Sequence, residues 1–163
     1  MPISLTTMLA LTARFHVVVD GKIDLGGWAR CQGLQVKFNP EPIKEGGNYQ
    51  YEPILQGHIQ YPNITLTRAM NAGDTKTVQD WLKERANSWI DGLSSGSSAI
   101  RRMVHMKGSG GTAQITLFDA KGVKVCSWSL RNVYPAMWKG PDLDASTLGV
   151  AIETLELAHE GFL

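Results

Sequence analysis

Short stretches of alternating or β-branched residues dominate the chain, separated by turns rich in Gly, Pro and Asn. Residues 14–20 (RFHVVVD) hold three successive valines and predict a strand. Asp20-Gly21 follows, a pair that tolerates positive φ and predicts a hairpin. A longer strand is expected over 28–38 (WARCQGLQVKF), with Gly33 marking a bulge or a close backbone approach. Residues 58–68 (HIQYPNITLTR) return to strand character. There Pro62 marks an edge or a strand start, since it has no N–H to donate. Beyond it Ile64 and Leu66 share one face, while Asn63, Thr65 and Thr67 share the other.

Residues 74–89 (DTKTVQDWLKERANSW) change period. Val78, Trp81, Leu82, Arg85 and Trp89 fall on one helical stripe, with Asp74 as the expected N-cap. The Arg85 stem can lie along that stripe with its charge in water. The tryptophans read as core anchors. Residues 113–119 and 123–133 predict two strands joined by Asp119-Ala120-Lys121-Gly122. Asp first and Gly last favour a type I turn with a following bulge. For 148–160 (LGVAIETLELAHE) the periodicity is mixed, and helix and strand both remain open.

Four segments lack a period. Residues 39–57 contain Pro40, Pro42, Pro53, Gly46, Gly47 and Asn48 and are expected to form a long loop. Loops of such length in a small domain are usually functional or bound to a partner. Tyr49, Tyr51, Ile54 and Leu55 within it would be poorly buried in a free monomer, which points to an intermolecular contact. Residues 91–98 (DGLSSGSS) predict a flexible Gly/Ser loop, and 107–111 (KGSGG) break the chain again. Residues 100–106 are ambiguous between strand and irregular structure. Residues 134–145 predict a Pro/Gly loop anchored by Trp138.

The length, 163 residues, fits one domain spanning 1–163. With 43% apolar and 19% charged residues the chain is of folded, globular composition. A net charge of +1 leaves no sequence-wide footprint for nucleic acid, although a local charged stripe is compatible with it. Cys31 and Cys126 lie in apolar, strand-like contexts and read as buried, reduced thiols. No run approaches the roughly 18 apolar residues of a membrane helix. The apolar start, 1–13, lacks the basic residues of a signal peptide and reads as a surface arm.

Catalytic chemistry finds little support. His16, His58, His105 and His159 have no metal-ligand spacing, and neither cysteine has a C-x2-C partner. Phosphate-loop, dinucleotide and nucleophile-elbow motifs are missing; the run 108–111 lacks the Lys-Ser/Thr that a phosphate loop needs. Glu153 and Glu156 resemble a carboxylate pair, yet in a strand they point to opposite faces, so solvated or inter-subunit charges are expected. Arg101-Arg102 reads as an exposed pair. The expectation is a non-enzyme with no catalytic residues, no cofactor and no metal.

The segment 140–145 (GPDLDA), followed by 150–162 (VAIETLELAHEGF), resembles the C-terminal signature of the T4-like phage tail tube protein family. That family includes inner tube proteins of extracellular contractile injection systems. Residues 45–48 (EGGN), 61–68 (YPNITLTR), Trp81 and 132–141 (NVYPAMWKGP) agree with it in order, over roughly Phe15 to Phe162. The region 91–111 departs from it and reads as loops peculiar to a subfamily.

The resemblance implies a mainly β fold: two packed antiparallel sheets closed into a barrel, with one flanking helix. It implies hexameric rings stacked into a tube around one continuous lumen barrel, with the haemolysin-coregulated protein of type VI secretion as a structural relative. Glu45, Gly46, Gly47, Asn48, Tyr49, Tyr51, Ile54 and Leu55 then become candidates for subunit or ring contacts. Asn63, Thr65 and Thr67 become candidates for the lumen face. The 148–160 element becomes a strand with both faces used. Implied partners are further copies of the chain, a sheath protein, a baseplate hub, a tube terminator and DNA or effector protein as cargo. Assembly in the bacterial cytoplasm, without a membrane anchor, follows from the same reading. Rival readings are a type VI secretion tube and a monomeric β-barrel carrier of a small ligand.

Overall fold

A computed structural model describes residues 15–44, 46, 47, 49–94, 110–146 and 148–163, the side chains of 91–94 excepted. Among the described residues there are eleven strands and one helix. Seven strands form one antiparallel sheet in the order β2-β1-β9-β10-β11-β8-β3. They are β1 (Phe15–Val19), β2 (Ile23–Gly27), β3 (Arg30–Gln32), β8 (Ile64–Ala69), β9 (Gly111–Phe118), β10 (Lys124–Lys139) and β11 (Ile152–Ala158). The helix α1 spans Ala72–Ser94 and packs on β2.

The hairpins follow the turn chemistry. Asp20 (φ 54°) and Gly21 (φ 65°) turn β1 into β2. Between β9 and β10, Asp119 Oδ1 accepts the N–H groups of Lys121 and Val123, and Gly122 sits at φ 80°. Gly33 (φ 95°) packs so tightly on the Asn63 carbonyl that a Cβ would collide with it.

Several expectations are corrected. The strand expected over 28–38 splits at Gly33 into β3 and the two-residue β4 (Lys37–Phe38). The 39–57 loop contains backbone pairing. There β5 (Glu41–Pro42) pairs with β6 (Ile54–Leu55); the strand expected over 58–68 splits into β7 (Ile59–Gln60) and β8, and β7 pairs with β4, so the two ladders make a two-stranded arm. Pairing shifts by one residue where Gly57 lies against the Asn39 carbonyl. Residues 134–139 continue β10 rather than forming a loop. Pro135 is accommodated beside a register shift between Pro135 and Met137, where an N–H is dispensable. The helix begins before Asp74. Asn71 is the cap: its Oδ1 accepts the Asp74 N–H, and its Nδ2 donates to Asp74 Oδ2, each at 2.8 Å. The helix also runs to Ser94, into the expected 91–98 loop. Trp81 is a core anchor, whereas Trp89 is 45% exposed and touches the Tyr134 ring. Cys31 is half-buried, and burial pushes its thiol up to about 11. Cys126 is exposed, contrary to the expectation. The 148–160 element resolves as a strand over β11. The N-terminal arm, His105, Arg101, Arg102 and the 107–109 breaker lie outside the described residues.

The implied closed barrel also needs correction, because edge strands β2 and β3 do not pair. The sheet is nevertheless rolled. In a flat sheet six strand spacings of about 4.8 Å would separate its edges by about 29 Å. The link Trp28-Ala29 spans three peptide steps, at most about 11 Å. The edges therefore face each other across a seam. Val17, Val19, Leu25, Ile64, Leu66, Ile115, Leu130, Leu155 and Leu157 fill the interior, with Val78 and Trp81 added from α1. β10 makes the roll possible. It pairs with β9 through its first part and with β11 through its last, and register shifts between Leu130 and Val133 and beside Pro135 bend it.

Candidate assembly surfaces

Strand alternation sends two charged residues inward. Arg68 follows Ile64 and Leu66 in phase, and Glu153 precedes Leu155 and Leu157 in phase. Glu153 is 0% exposed, which corrects the expectation of a solvated or inter-subunit charge. Its Oε1 takes Arg68 Nε at 2.7 Å and the Thr75 hydroxyl at 2.9 Å; its Oε2 takes Trp138 Nε1 at 3.1 Å. Arg68 Nη1 donates to the carbonyls of Leu25 and Gly27 on β2, and its guanidinium lies 4.1 Å from the Trp28 ring centroid. This side chain occupies the seam. The β2 carbonyls that a neighbouring strand would have used are satisfied by Arg68 instead, which is why the barrel stays open there.

A second polar hub fixes the helix. The Asp20 carboxylate at the hairpin tip accepts Trp81 Nε1 at 3.2 Å and pairs with Arg85. Its Oδ1 also accepts the Thr112 N–H at 3.2 Å. These hubs explain one buried carboxylate, Glu153, and one half-buried carboxylate, Asp20, by structure. Among the described residues no group of three or more His, Cys, Asp or Glu residues is placed to hold a metal.

The arm is the first unspent surface. Both its ladders pair only within it, so Phe38, Ile43, Ile54, Leu55 and Ile59 gain no cover from the body. Tyr49, 97% exposed, and Tyr51 stand near its tip, where Gly47 turns at φ 91°. Of the residues expected to make contacts, Gly46, Gly47, Tyr49, Tyr51, Ile54 and Leu55 thus share one element. Glu45 and Asn48 lie outside the described residues. Sequence reading missed Phe38 and Ile59, because they fall at ends of the strands expected over 28–38 and 58–68, whose pairing with each other in the arm the pattern does not show.

The second surface is the sheet face turned away from the core. Register aligns Gln32, Thr65 and Glu156 in one row and Arg30, Thr67 and Thr154 in the next. Asn63 joins them, donating to Glu156 Oε1 at 2.8 Å. Hydroxyl and amide groups dominate this face, with Gln114, Ser127 and Ser129 continuing it across β9 and β10. Asn63, Thr65 and Thr67 therefore do share a face, opposite Ile64 and Leu66.

Surfaces of this kind define a structural β protein whose fold leaves apolar area for other protein to cover. Residues 11–163 match the family described as T4-like virus tail tube protein gp19. The chain belongs to the T4-like virus tail tube protein family. Among curated proteins nothing matches. Solved structures share its fold. One is from the cryo-EM structure of the anti-feeding prophage baseplate: 22% identity, 95% of this chain and 94% of that chain covered, TM-score 0.65. Another is from the sheath-tube complex of the PVC extracellular contractile injection system in its extended state: 19% identity, 93% and 88% covered, TM-score 0.66. A third is from the PVC sheath/tube terminator: 18% identity, 95% of both chains covered, TM-score 0.65.

Proposed function

We propose that the chain is a non-enzymatic subunit that forms hexameric rings, and that the rings stack into the hollow inner tube of a contractile phage tail or injection system. The observation that carries this reading is the arm, an ordered ladder bearing Ile54, Leu55, Tyr49 and Tyr51 in the open. A monomer would leave that apolar area in water; a neighbouring subunit removes it.

The hydroxyl-rich sheet face, including Asn63, Thr65 and Thr67, lines the lumen in this reading. Its partners are a sheath, a baseplate hub and a terminator, which the baseplate, sheath-tube and terminator assemblies of the structural relatives support. The tube does no bond chemistry. It templates the sheath, passes DNA or effector protein, and is driven through the target envelope when the sheath shortens. No described helix is long and apolar enough to cross a membrane. Assembly in the cytoplasm, before incorporation into a tail or particle, belongs to the same proposal.

Negative-stain microscopy with analytical ultracentrifugation tests it. Rings or tubes with an open lumen are expected. A strict monomer at high concentration overturns the proposal.

A further inference from the structure

The 140–152 loop, with Leu143, Leu148 and Val150 exposed, is tied to the sheet where Ala151 O accepts the Met70 N–H. The arm is held differently. Both its ladders pair only within it, so its direction is set at the two places where it joins the body. At the first, Gly33 lies on the Asn63 carbonyl. At the second, Tyr61, Pro62 and Asn63 lead from β7 into β8, and the residues that follow β11 close over Tyr61 and Pro62.

His159 continues the phase of Leu155 and Leu157 and is half-buried. Its Nδ1 accepts the Gly161 N–H at 3.1 Å, so in the neutral ring the proton sits on Nε2, which donates to the Pro62 carbonyl at 3.1 Å. Gly161 turns at φ 136°, and a Cβ there would meet both the Tyr61 ring and Arg131 Nη2. The turn brings Phe162 onto Tyr61, with 5.4 Å between ring centroids, beside a His159 ring 5.7 Å from the same tyrosine. Two backbone bonds fasten these residues to the bend of β10. Glu160 N–H donates to Arg131 O and Arg131 N–H donates to Gly161 O, each at 2.9 Å.

We propose that residues 159–162 form a clamp on the root of the arm, closed while the His159 ring is neutral and open once the ring takes up a proton. The neutral ring satisfies both bonds at once. A protonated ring has two donors, so Nδ1–H confronts the Gly161 N–H and that bond is lost. The bond to Pro62 survives, but the Gly161 turn no longer holds Phe162 on Tyr61. Surrounding charges do not repair the loss. Arg131 Nη2 lies against Gly161 and adds positive charge beside the ring. The Glu160 carboxylate is engaged by Asn132 Nδ2, and Glu156 is bonded to Asn63 on the opposite sheet face. Tyr61, Pro62 and Phe162 bring no charge. Burial disfavours the charged ring as well and holds its pKa below 6.5. The clamp is therefore complete above about pH 6.5 and opens as pH falls through the lower value of the closed state. Acid thereby frees the direction of the arm without unfolding the body. The device belongs to a single subunit and does not rest on the tube reading.

Hydrogen–deuterium exchange of dilute, unassembled protein at pH 7.5 and 5.5 tests it, with labelling times scaled for the intrinsic exchange rates. Peptides covering 59–64 and 159–163 should exchange severalfold faster at pH 5.5, toward the roughly tenfold limit that linkage sets one pH unit below the open-state value. Peptides of the β9–β10 hairpin should keep their protection. His159→Gln is uncharged at both pH values and should lose the step. His159→Ala should exchange fast in the same peptides at both. Equal scaled exchange of the parent at the two pH values overturns the inference, as does a step of parental size in His159→Gln. A step spread evenly over the whole sheet also overturns it, since that reports global opening rather than a clamp. None of these outcomes touches the tube reading, which microscopy tests separately.

Discussion

Replacing Glu153 with Gln removes the charge facing Arg68 while keeping the volume of the side chain. Arg68 would then lie 3% exposed with Asp74 as its remaining ion-pair partner, 3.5 Å away and 39% exposed. Breaking a buried pair by removing one partner costs about 3–5 kcal/mol, because the other charge stays desolvated. The amide oxygen can still accept one hydrogen bond, and the Asp74 contact offsets part of the loss, so about 3 kcal/mol is expected. That is a large share of the roughly 5–15 kcal/mol that stabilises an ordinary domain. For a chain of this size it corresponds to a melting-temperature drop of about 6–12 °C.

Urea titration of dilute, unassembled protein measures the loss directly, with an unchanged m-value expected. A double-mutant cycle with Arg68→Met adds the decisive number. Removing both charges ends the desolvation penalty but strands the Leu25 and Gly27 carbonyls and leaves one carboxylate oxygen fewer for the Trp138 N–H and the Thr75 hydroxyl. The double variant should therefore remain less stable than the parent, yet show a coupling energy of about 2 kcal/mol. A loss under 1 kcal/mol for Glu153→Gln, or additive single effects, refutes the view that this pair holds the seam.

Gly33→Ala combines a φ of 95° with a collision on the Asn63 carbonyl, so it should cost about 2 kcal/mol by thermal or urea denaturation. Gly21→Ala, at φ 65° in open space, should cost only about 1 kcal/mol. His159 introduces a pH dependence. Burial lowers its pKa below the ordinary value of 6.5, despite a hydrogen bond to the Pro62 carbonyl that opposes the shift. Its Nδ1 accepts the Gly161 N–H, so protonation breaks that bond. The unfolded chain therefore takes up the proton first as pH falls. The stability contribution is complete above about pH 6.5 and is lost as pH drops through the lower folded-state value. Urea midpoints at pH 7.5 and 5.5 should differ by less in His159→Gln than in the parent; equal differences count against this account.

Much of the fold was legible because strand alternation is local. Alternation separates Ile64 and Leu66 from Asn63, Thr65 and Thr67, and the hairpin at Asp119–Gly122 carries its own turn chemistry. The same alternation already placed Arg68 and Glu153 inside. That consequence was missed because charged residues are rarely buried, and their compensating partner sits 85 positions away in sequence. The β4–β7 and β5–β6 ladders were illegible for another reason. β5 and β6 are two-residue strands among Pro40, Pro42 and Pro53 and carry no period to detect, while β4 and β7 read as strand but the pattern does not tell that they leave the main sheet to pair with each other. β10 was cut short at Tyr134 because Pro135 ordinarily ends a strand, and the bulge that accommodates it depends on register with β11. Tyr49, Tyr51, Ile54 and Leu55 were recognisable as unburied apolar residues, whereas the 140–152 loop was not. Its exposure follows from which end of the sheet it caps.

The place of β11 in the sheet has a consequence for biosynthesis. This strand is the last in chain order, yet it lies between β10 and β8. A ribosome must deliver residues 152–158 before the two parts of the sheet can join, and β8 has by then waited for more than eighty residues. Pairings of such long sequence separation form slowly, since loop-closure entropy is met before any contact rewards it. Until then Arg68 lacks its buried partner Glu153, and the rolled body that carries the arm is incomplete. The sheet order thus acts as a timer. Nascent chains gain a finished sheet only after synthesis has passed β11, which in the proposed tube separates making the subunit from adding it to a growing polymer.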